Sequence, residues 1–375
     1  MRLPVDDLGK IDKDQVEKMV ELAFNNGVNY FDTAFPYHNG LSEIVIGEVL
    51  SKYPRDSFKL ATKYPGHQLA SSYNPKKTFE TQLKKCNVEY FDFYLLHNVC
   101  ESSFNVYDDK SLNIIDYFVK EKQNGRIKHL GFSSHGDLPL LKKFLDKYSS
   151  YMEFCQIQFN YLDYTLQKAK EKYDLISSYG IPIWVMEPVR GGKLSHLPKD
   201  AEEKLKSIRP NDSISSWGFR FLQSFENIKM ILSGMSNIDQ MVDNLKTFSK
   251  ADPLSKDEEN LLLNIADSLK SGVPCTSCKY CMEGCPMGLN IPKFMSLYNE
   301  FRVDKQLNSA MYIEFLDDNK KPSACIKCGK CERICPQKIN IRDTLVSLTE
   351  IQNSMPKWRE ISKVREEEAK RLESN

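Results

Sequence analysis

The chain runs to 375 residues, 41% of them hydrophobic, with 52 basic and 51 acidic side chains for a net charge of +1. That length suits two or three domains with ample buried core, and the near-neutral balance supplies neither a basic footprint for nucleic acid nor a cationic face for a membrane. No apolar run approaches the roughly 18 residues of a membrane span, and Met1-Arg-Leu-Pro-Val-Asp-Asp lacks the apolar core of a signal peptide, so a cytoplasmic protein with no nucleic-acid or membrane partner is expected.

From residue 12 to about 245, helix and strand patterns alternate. Asp12 caps a first helix, with Gln15 in capping-box position and Val16, Met19, Val20 and Ala23 on one face before Gly27 stops it. Short, largely apolar runs at 28–34, 58–64, 91–97, 129–134, 154–160, 181–187 and 228–233 read as strands. Helical stretches such as 78–86, 112–122, 138–147 and 166–178 separate them. Strands each followed by a helix make a parallel sheet covered on both faces, and the expected fold is a TIM-type (β/α)8 barrel. Seven strands can be counted where the barrel needs eight, so the first is expected to be missing: either the sheet is open or the chain starts late. Near residues 252–256 the pattern changes, and a helix over 258–269 ends at Gly272 and Pro274. The expected domains are a barrel over 1–252, a linker helix with a cysteine-rich module over 253–350, and a charged helical tail over 351–375 that reads as solvated.

Cys86, Cys100 and Cys155 are scattered, but the other eight of the eleven cysteines fall between Cys275 and Cys335. In a reducing compartment such density signals metal rather than disulfides. Cys275-x2-Cys278-x2-Cys281-x3-Cys285-Pro and Cys325-x2-Cys328-x2-Cys331-x3-Cys335-Pro each match the bacterial ferredoxin run, whose fourth cysteine serves the other cluster. Two 4Fe–4S clusters are expected, one on Cys275, Cys278, Cys281 and Cys335, the other on Cys325, Cys328, Cys331 and Cys285. Structural zinc on four cysteines each is the competing reading, although zinc asks only for pairs and not for this doubled pattern. The spacer between the tracts has helical periodicity through Ile291, Phe294, Met295, Leu297 and Tyr298. The module therefore resembles the α-helical ferredoxin domain of multi-subunit oxidoreductases. Its clusters would form an electron wire or a structural staple.

Asp32, Lys63 and His97 stand at the carboxyl ends of strands, with Tyr37 just beyond the first, where barrel enzymes keep their chemistry. In that order, within Asn29-Tyr-Phe-Asp-Thr-Ala, Ala61-Thr-Lys and Tyr94-Leu-Leu-His, these residues resemble the catalytic tetrad of the aldo-keto reductase superfamily. The resemblance covers most of residues 1–250. Met1-Arg-Leu-Pro4 is similar to the phrase after that family's first strand, and the cysteine-rich part to members with a fused ferredoxin domain. It implies hydride transfer between NADH or NADPH and a small carbonyl or alcohol substrate. Tyr37 would be the acid–base, Lys63 would favour its phenolate and lower its pKa, and Asp32 would keep Lys63 charged. His97 would orient the substrate oxygen. Taken singly, such a residue is more often an ordinary salt bridge or loop anchor.

The resemblance also implies a dinucleotide laid across the mouth. Ser133, Ser134 and Gln156, with Asn160, would meet the nicotinamide carboxamide. Gly191 and Gly192 would let a loop approach the pyrophosphate closely, and Gly234, Ser236, Gln240 and Asn244 would follow the adenosine. Ser134 stands where family members often have Asn, and no basic residue follows Gly234 until Lys246. Preference for a 2′-phosphate is thus unsupported, and NADH is a fair candidate. A flavin would couple hydride to one-electron clusters, but no flavin fingerprint is present. Three functions compete: an aldo-keto reductase-type oxidoreductase with the clusters as electron port to a redox partner protein, an electron-transfer subunit with a non-catalytic barrel, and a nicotinamide-sensing redox protein. The intact tetrad favours the first.

Overall fold

A computed structural model describes residues 2–68, 73–269, 272–275, 279–303, 307–335 and 337–374. Its contacts divide the chain into two units, Met1–Leu262 with Arg365–Asn375, and Leu263–Val364.

The first unit is built on seven parallel strands in sequence order, β1 (Tyr30–Asp32), β2 (Lys59–Tyr64), β3 (Phe91–Val99), β4 (Ile127–Ser134), β5 (Cys155–Gln158), β6 (Ile183–Met186) and β7 (Ile228–Ile231). Each overlaps an expected strand stretch, with β3 running on to Val99 and β4 starting early at Ile127. Ala61, Leu95, Phe154 and Trp184 form one buried cluster, against which Tyr30 of β1 and Met230 of β7 both pack. Side chains from the two outermost strands meet in one cluster only if the sheet curls, so this is the TIM-barrel-like fold. The first strand is missing as expected: β1 and β7 are the edges, and no eighth strand occurs among the described residues.

The first helix, Lys13–Asn25, is capped by Asp12, whose carboxylate accepts from Gln15 N, and it buries Val16, Met19, Val20 and Ala23. Ser42–Leu50 and Ile214–Gln223 are helices that patterning does not single out; both are buried on nearly every side, and the first has little polar face to mark it. The expected helix over 166–178 is broken into Asp163–Leu166 and Ala169–Ser178, with Lys168 between them at φ 54°.

In the second unit, helices Ile291–Val303 and Ile341–Asn353 share a core of Ile291, Phe294, Met295, Leu297, Leu345 and Leu348. The helical spacer is thus present. The closing helix Trp358–Ser374 is less solvated than its charge suggests. Trp358 and Ser362 are buried, and Trp358 N donates to Glu314 at 2.6 Å. No described helix is long and apolar enough to cross a membrane.

Candidate active site

β1 ends at Asp32, Lys63 is the penultimate residue of β2, and His97 lies near the end of β3. Pairing sets Asp32 beside Ala61 and Lys63 beside Leu95, so the three side chains come from neighbouring strands. Tyr37 opens the turn Tyr37–Gly40, in which His38 and Asn39 have φ of 49° and 55°. His38 Nε2 accepts from Leu3 N at 3.0 Å and ties this turn to the N-terminal segment.

Lys63 is buried, and its ammonium has two hydrogen-bond partners inside the protein. It donates to Asp32 Oδ1 at 2.6 Å and to the Thr33 carbonyl at 2.7 Å, and it lies 5.1 Å from the centroid of the Tyr37 ring. Burial opposes its charge, but Asp32 and Tyr37 outweigh burial and hold its pKa above the usual value. Tyr37 departs from expectation. Although the residue is only half-buried, desolvation raises its pKa more than the Lys63 charge lowers it. The phenol is kept protonated, as a proton donor must be. His97 meets Tyr37 edge-on with ring centroids 5.8 Å apart, and desolvation holds it neutral, well below its ordinary value.

Four features around the tetrad escaped sequence reasoning. Beneath Lys63, buried Glu43 accepts from Thr62 Oγ1 at 2.6 Å and Gln82 Nε2 at 2.7 Å, and Gln82 Nε2 also reaches the Lys63 carbonyl at 3.0 Å. A carboxylate at the start of the apolar run Ser42–Leu50, whose other carboxylate, Glu48, is exposed, was the available signal. His67 packs against His97 at 4.3 Å between ring centroids, and burial pushes its pKa down to about 3. His135 is pushed down to about 4 by burial. Arg365 belongs to the first unit, within electrostatic reach of Tyr37, His67 and His97; burial lowers its pKa and Tyr37 opposes that shift.

Residues 1–266 match the aldo/keto reductase family. The chain belongs to that family. It is 23% identical over 265 residues to the uncharacterized oxidoreductase YqkF of Bacillus subtilis, covering 63% of this chain and 82% of that protein. It is 24% identical over 277 residues to L-galactose dehydrogenase of Arabidopsis thaliana (68% and 84%) and 23% identical over 204 residues to the NADH-specific methylglyoxal reductase of Escherichia coli (50% and 60%). Among solved structures, an aldo-keto reductase from Bacillus halodurans in its apo form is similar with a TM-score of 0.54 and 26% identity, over 68% of this chain and 87% of that one. Residues 274–339 match the 4Fe-4S dicluster domain, so this aldo-keto reductase carries a fused ferredoxin-type domain.

In this aldo-keto reductase, of the residues assigned to the dinucleotide, Ser133 and Ser134 end β4, Gln156 lies within β5, and the others follow β5, β6 and β7. Ser133 stands beside Gln156 in register, and its Oγ accepts from Asn98 N at 2.8 Å. Gln156 Oε1 and Asn98 Oδ1 are buried acceptors without a partner among the described residues. Such orphans fit the amide donor of a nicotinamide carboxamide. Ser134 is engaged with its own loop, donating to the Val99 carbonyl at 2.7 Å and accepting from Gly136 N at 3.1 Å. Asn160 is likewise part of the wall: its Oδ1 accepts from Leu162 N and Asp163 N, and its Nδ2 donates to Asp163 and to the Glu187 carbonyl.

Gly191 and Gly192 have φ of 63° and 94°, and the turn Arg190–Ser195 holding them is anchored by a buried ion pair, Arg190 to Asp163 at 2.9 Å. Arg2 lies close to the loops that hold Gly191 and Gly234. A Cβ on Gly191 would come within 2.9 Å of its Nη2, and one on Gly234 within 2.9 Å of its Cγ. Gln240 Oε1 accepts from Ser236 N at 2.8 Å, and Asn244 Nδ2 donates to Ser233 at 2.9 Å.

The ferredoxin-type domain has two hollows with thiol donors in apolar walls. Cys275, Cys281 and Cys335 line one, together with Met295 and Ile339. Cys285, Cys325, Cys328 and Cys331 line the other, with Leu289 and Leu345. Cys278 lies outside the described residues. Each tract's fourth cysteine therefore faces the hollow of the other tract. The donor sets fit iron–sulfur ligation.

Proposed function

We propose that this aldo-keto reductase transfers hydride between a nicotinamide dinucleotide and a small carbonyl or alcohol at Asp32, Tyr37, Lys63 and His97, with two 4Fe–4S clusters serving as its electron port. The observation that carries this reading is the buried Lys63 ammonium, bonded to Asp32 at 2.6 Å and set 5.1 Å from the centroid of the Tyr37 ring. Burying a charged pair is costly in desolvation, and a scaffold has no use for such a pair beside a phenol. The kinship with a methylglyoxal reductase and an L-galactose dehydrogenase supports a small oxygenated substrate.

When bound, the dinucleotide supplies or takes up the hydride. Gln156, Asn98 and Ser133 would hold its carboxamide, and the Gly191–Gly192 amides with Arg2 its pyrophosphate. Tyr37 gives its phenolic proton to the substrate oxygen as that oxygen gains charge. Lys63 stabilises the phenolate left behind, and Asp32 keeps Lys63 charged and aimed. Neutral His97 donates a hydrogen bond to the same oxygen and orients the carbonyl. Cys275, Cys278, Cys281 and Cys335 would hold one cluster, and Cys285, Cys325, Cys328 and Cys331 the other, each moving one electron at a time.

The test is anaerobic turnover of the iron-loaded protein with NADH or NADPH and a panel of small aldehydes and ketones. Nicotinamide oxidation is expected only when a carbonyl is added. Tyr37→Phe should lower kcat by about 10²- to 10⁴-fold while nicotinamide binding, followed by fluorescence, stays unchanged. Tight nicotinamide binding with no turnover of any carbonyl or alcohol would remove the catalytic reading and leave the sensing one.

A further inference from the structure

The ferredoxin-type domain has a charge asymmetry that the barrel chemistry does not use. Residues 325–338 carry Lys327, Lys330, Arg333 and Lys338 against Glu332 alone, whereas the equivalent stretch 275–288 carries Lys279 against Glu283. In a chain of net charge +1 this excess is local. It is also at the surface, since all four cationic side chains are exposed, as is Cys328 between them. Glu332 does not offset the lysines, because Arg342 holds it at 2.8 Å; Asp343, the other carboxylate close by, also acts on Arg342. Arg333 and Arg342 both crowd Gly329, the neighbour of Cys328, each 3.6 Å from where its Cβ would lie.

Two large apolar side chains stand out on the same stretch. Ile326 is 59% exposed at the lip of the hollow lined by Cys285, Cys325, Cys328 and Cys331, and Ile334 is 47% exposed. Isoleucines left in water contribute little to the core. Exposed apolar side chains set among like charges along one short segment fit a short-lived protein interface, in which charge steers and apolar surface makes contact.

We infer that the segment 325–334, which ends in the short helix Lys330–Ile334, is the docking site for a small acidic one-electron carrier protein, with Ile326 and Ile334 as the contact and Lys327, Lys330 and Arg333 as the steering rim. This rests on the proposed redox role of the clusters. One electron passes from the carrier to the cluster held by Cys285, Cys325, Cys328 and Cys331; the carrier is oxidised by one, the cluster reduced by one, and no bond or proton changes hands. The acidic carrier follows from charge complementarity, for a basic partner would be repelled by the same rim.

The full-length, iron-loaded protein is titrated by calorimetry with an acidic flavodoxin and, as its opposite, a basic cytochrome c. Stopped-flow absorbance follows cluster reduction by the reduced flavodoxin. Flavodoxin is expected to bind more weakly as ionic strength rises. Joint Lys327→Glu, Lys330→Glu and Arg333→Glu substitution should lower affinity and rate by about tenfold or more, and Ile326→Ser should weaken binding at every salt concentration. Iron content per chain checks loading; if charge reversal impairs it, glutamine at the same three positions should give a smaller loss in the same direction. Binding indifferent to salt and to these charges, or tighter for cytochrome c, overturns the assignment. Titanium(III) citrate separates the two levels. Clusters that it cannot reduce remove the redox reading itself, whereas clusters that it reduces and flavodoxin does not remove the docking site alone.

Discussion

Tyr37 is pulled two ways, by a desolvated setting that keeps its proton on and by a lysine ammonium that favours its release. Desolvation prevails, and the pKa lies above the ordinary value. The Lys63 charge acts mainly once the proton has left. The nearby histidines stay neutral, with His67 pushed down to about 3, His135 to about 4 and His97 well below its usual value. None of these three histidines therefore changes charge near neutrality. For carbonyl reduction, kcat/KM should be flat from about pH 6 to about pH 9 and fall only at higher pH, as Tyr37 loses the proton it must donate. An inflection near pH 7 in the pH–rate profile would assign the proton to another group. Lys63→Met leaves the Asp32 carboxylate without its partner and should destabilise the barrel by about 3–5 kcal/mol in urea unfolding. Adding Asp32→Asn should recover most of that stability and none of the activity, because the two residues act as one unit.

Among the elements, the turn Arg190–Ser195 shows how a loop that reads as mere glycine chemistry is held in place. Arg190 and Asp163 are both buried, and Asp163 also accepts from Gln158 and Asn160 at 2.7 and 2.6 Å. The network joins the ends of β5 and β6, which are adjacent strands. Arg190→Met should cost about 3–5 kcal/mol, since it strands a buried carboxylate. If the turn carries the pyrophosphate, the same change raises KM for the nicotinamide more than it lowers kcat; a loss in kcat alone would detach this turn from cofactor binding. The two glycines could be read in the sequence because a positive φ selects for glycine. The ion pair could not, since its partners are separated by 26 residues and nothing local relates them.

At the scale of the whole molecule, the two units rest on different sources of stability. The barrel has an extensive apolar core of its own, whereas the core of Leu263–Val364 is interrupted by two cysteine-lined hollows. Metal binding in such a module is also folding energy. Protein prepared without iron, or stripped by a chelator, should lose helical ellipticity and protease resistance in residues 263–364, while the barrel keeps its own thermal transition. A single transition unchanged by iron removal would show that the clusters contribute nothing to that fold.

The order of the seven strands, the missing first strand and the strand-end positions of Asp32, Lys63 and His97 were legible in the sequence. They depend on local periodicity, on strand-end position and on short fixed spacings, which the chain carries within a few residues. Glu43 and Gln82 beneath Lys63, His67 beside His97, Arg2 close to the loops that hold Gly191 and Gly234, and Arg365 near Tyr37 were not legible, because residues far apart in the chain meet only after folding. The direction of the Tyr37 pKa belongs with them. Sequence supplies the phenol and the ammonium, but how much water each loses is settled by what packs around them, and that desolvation decides which influence prevails.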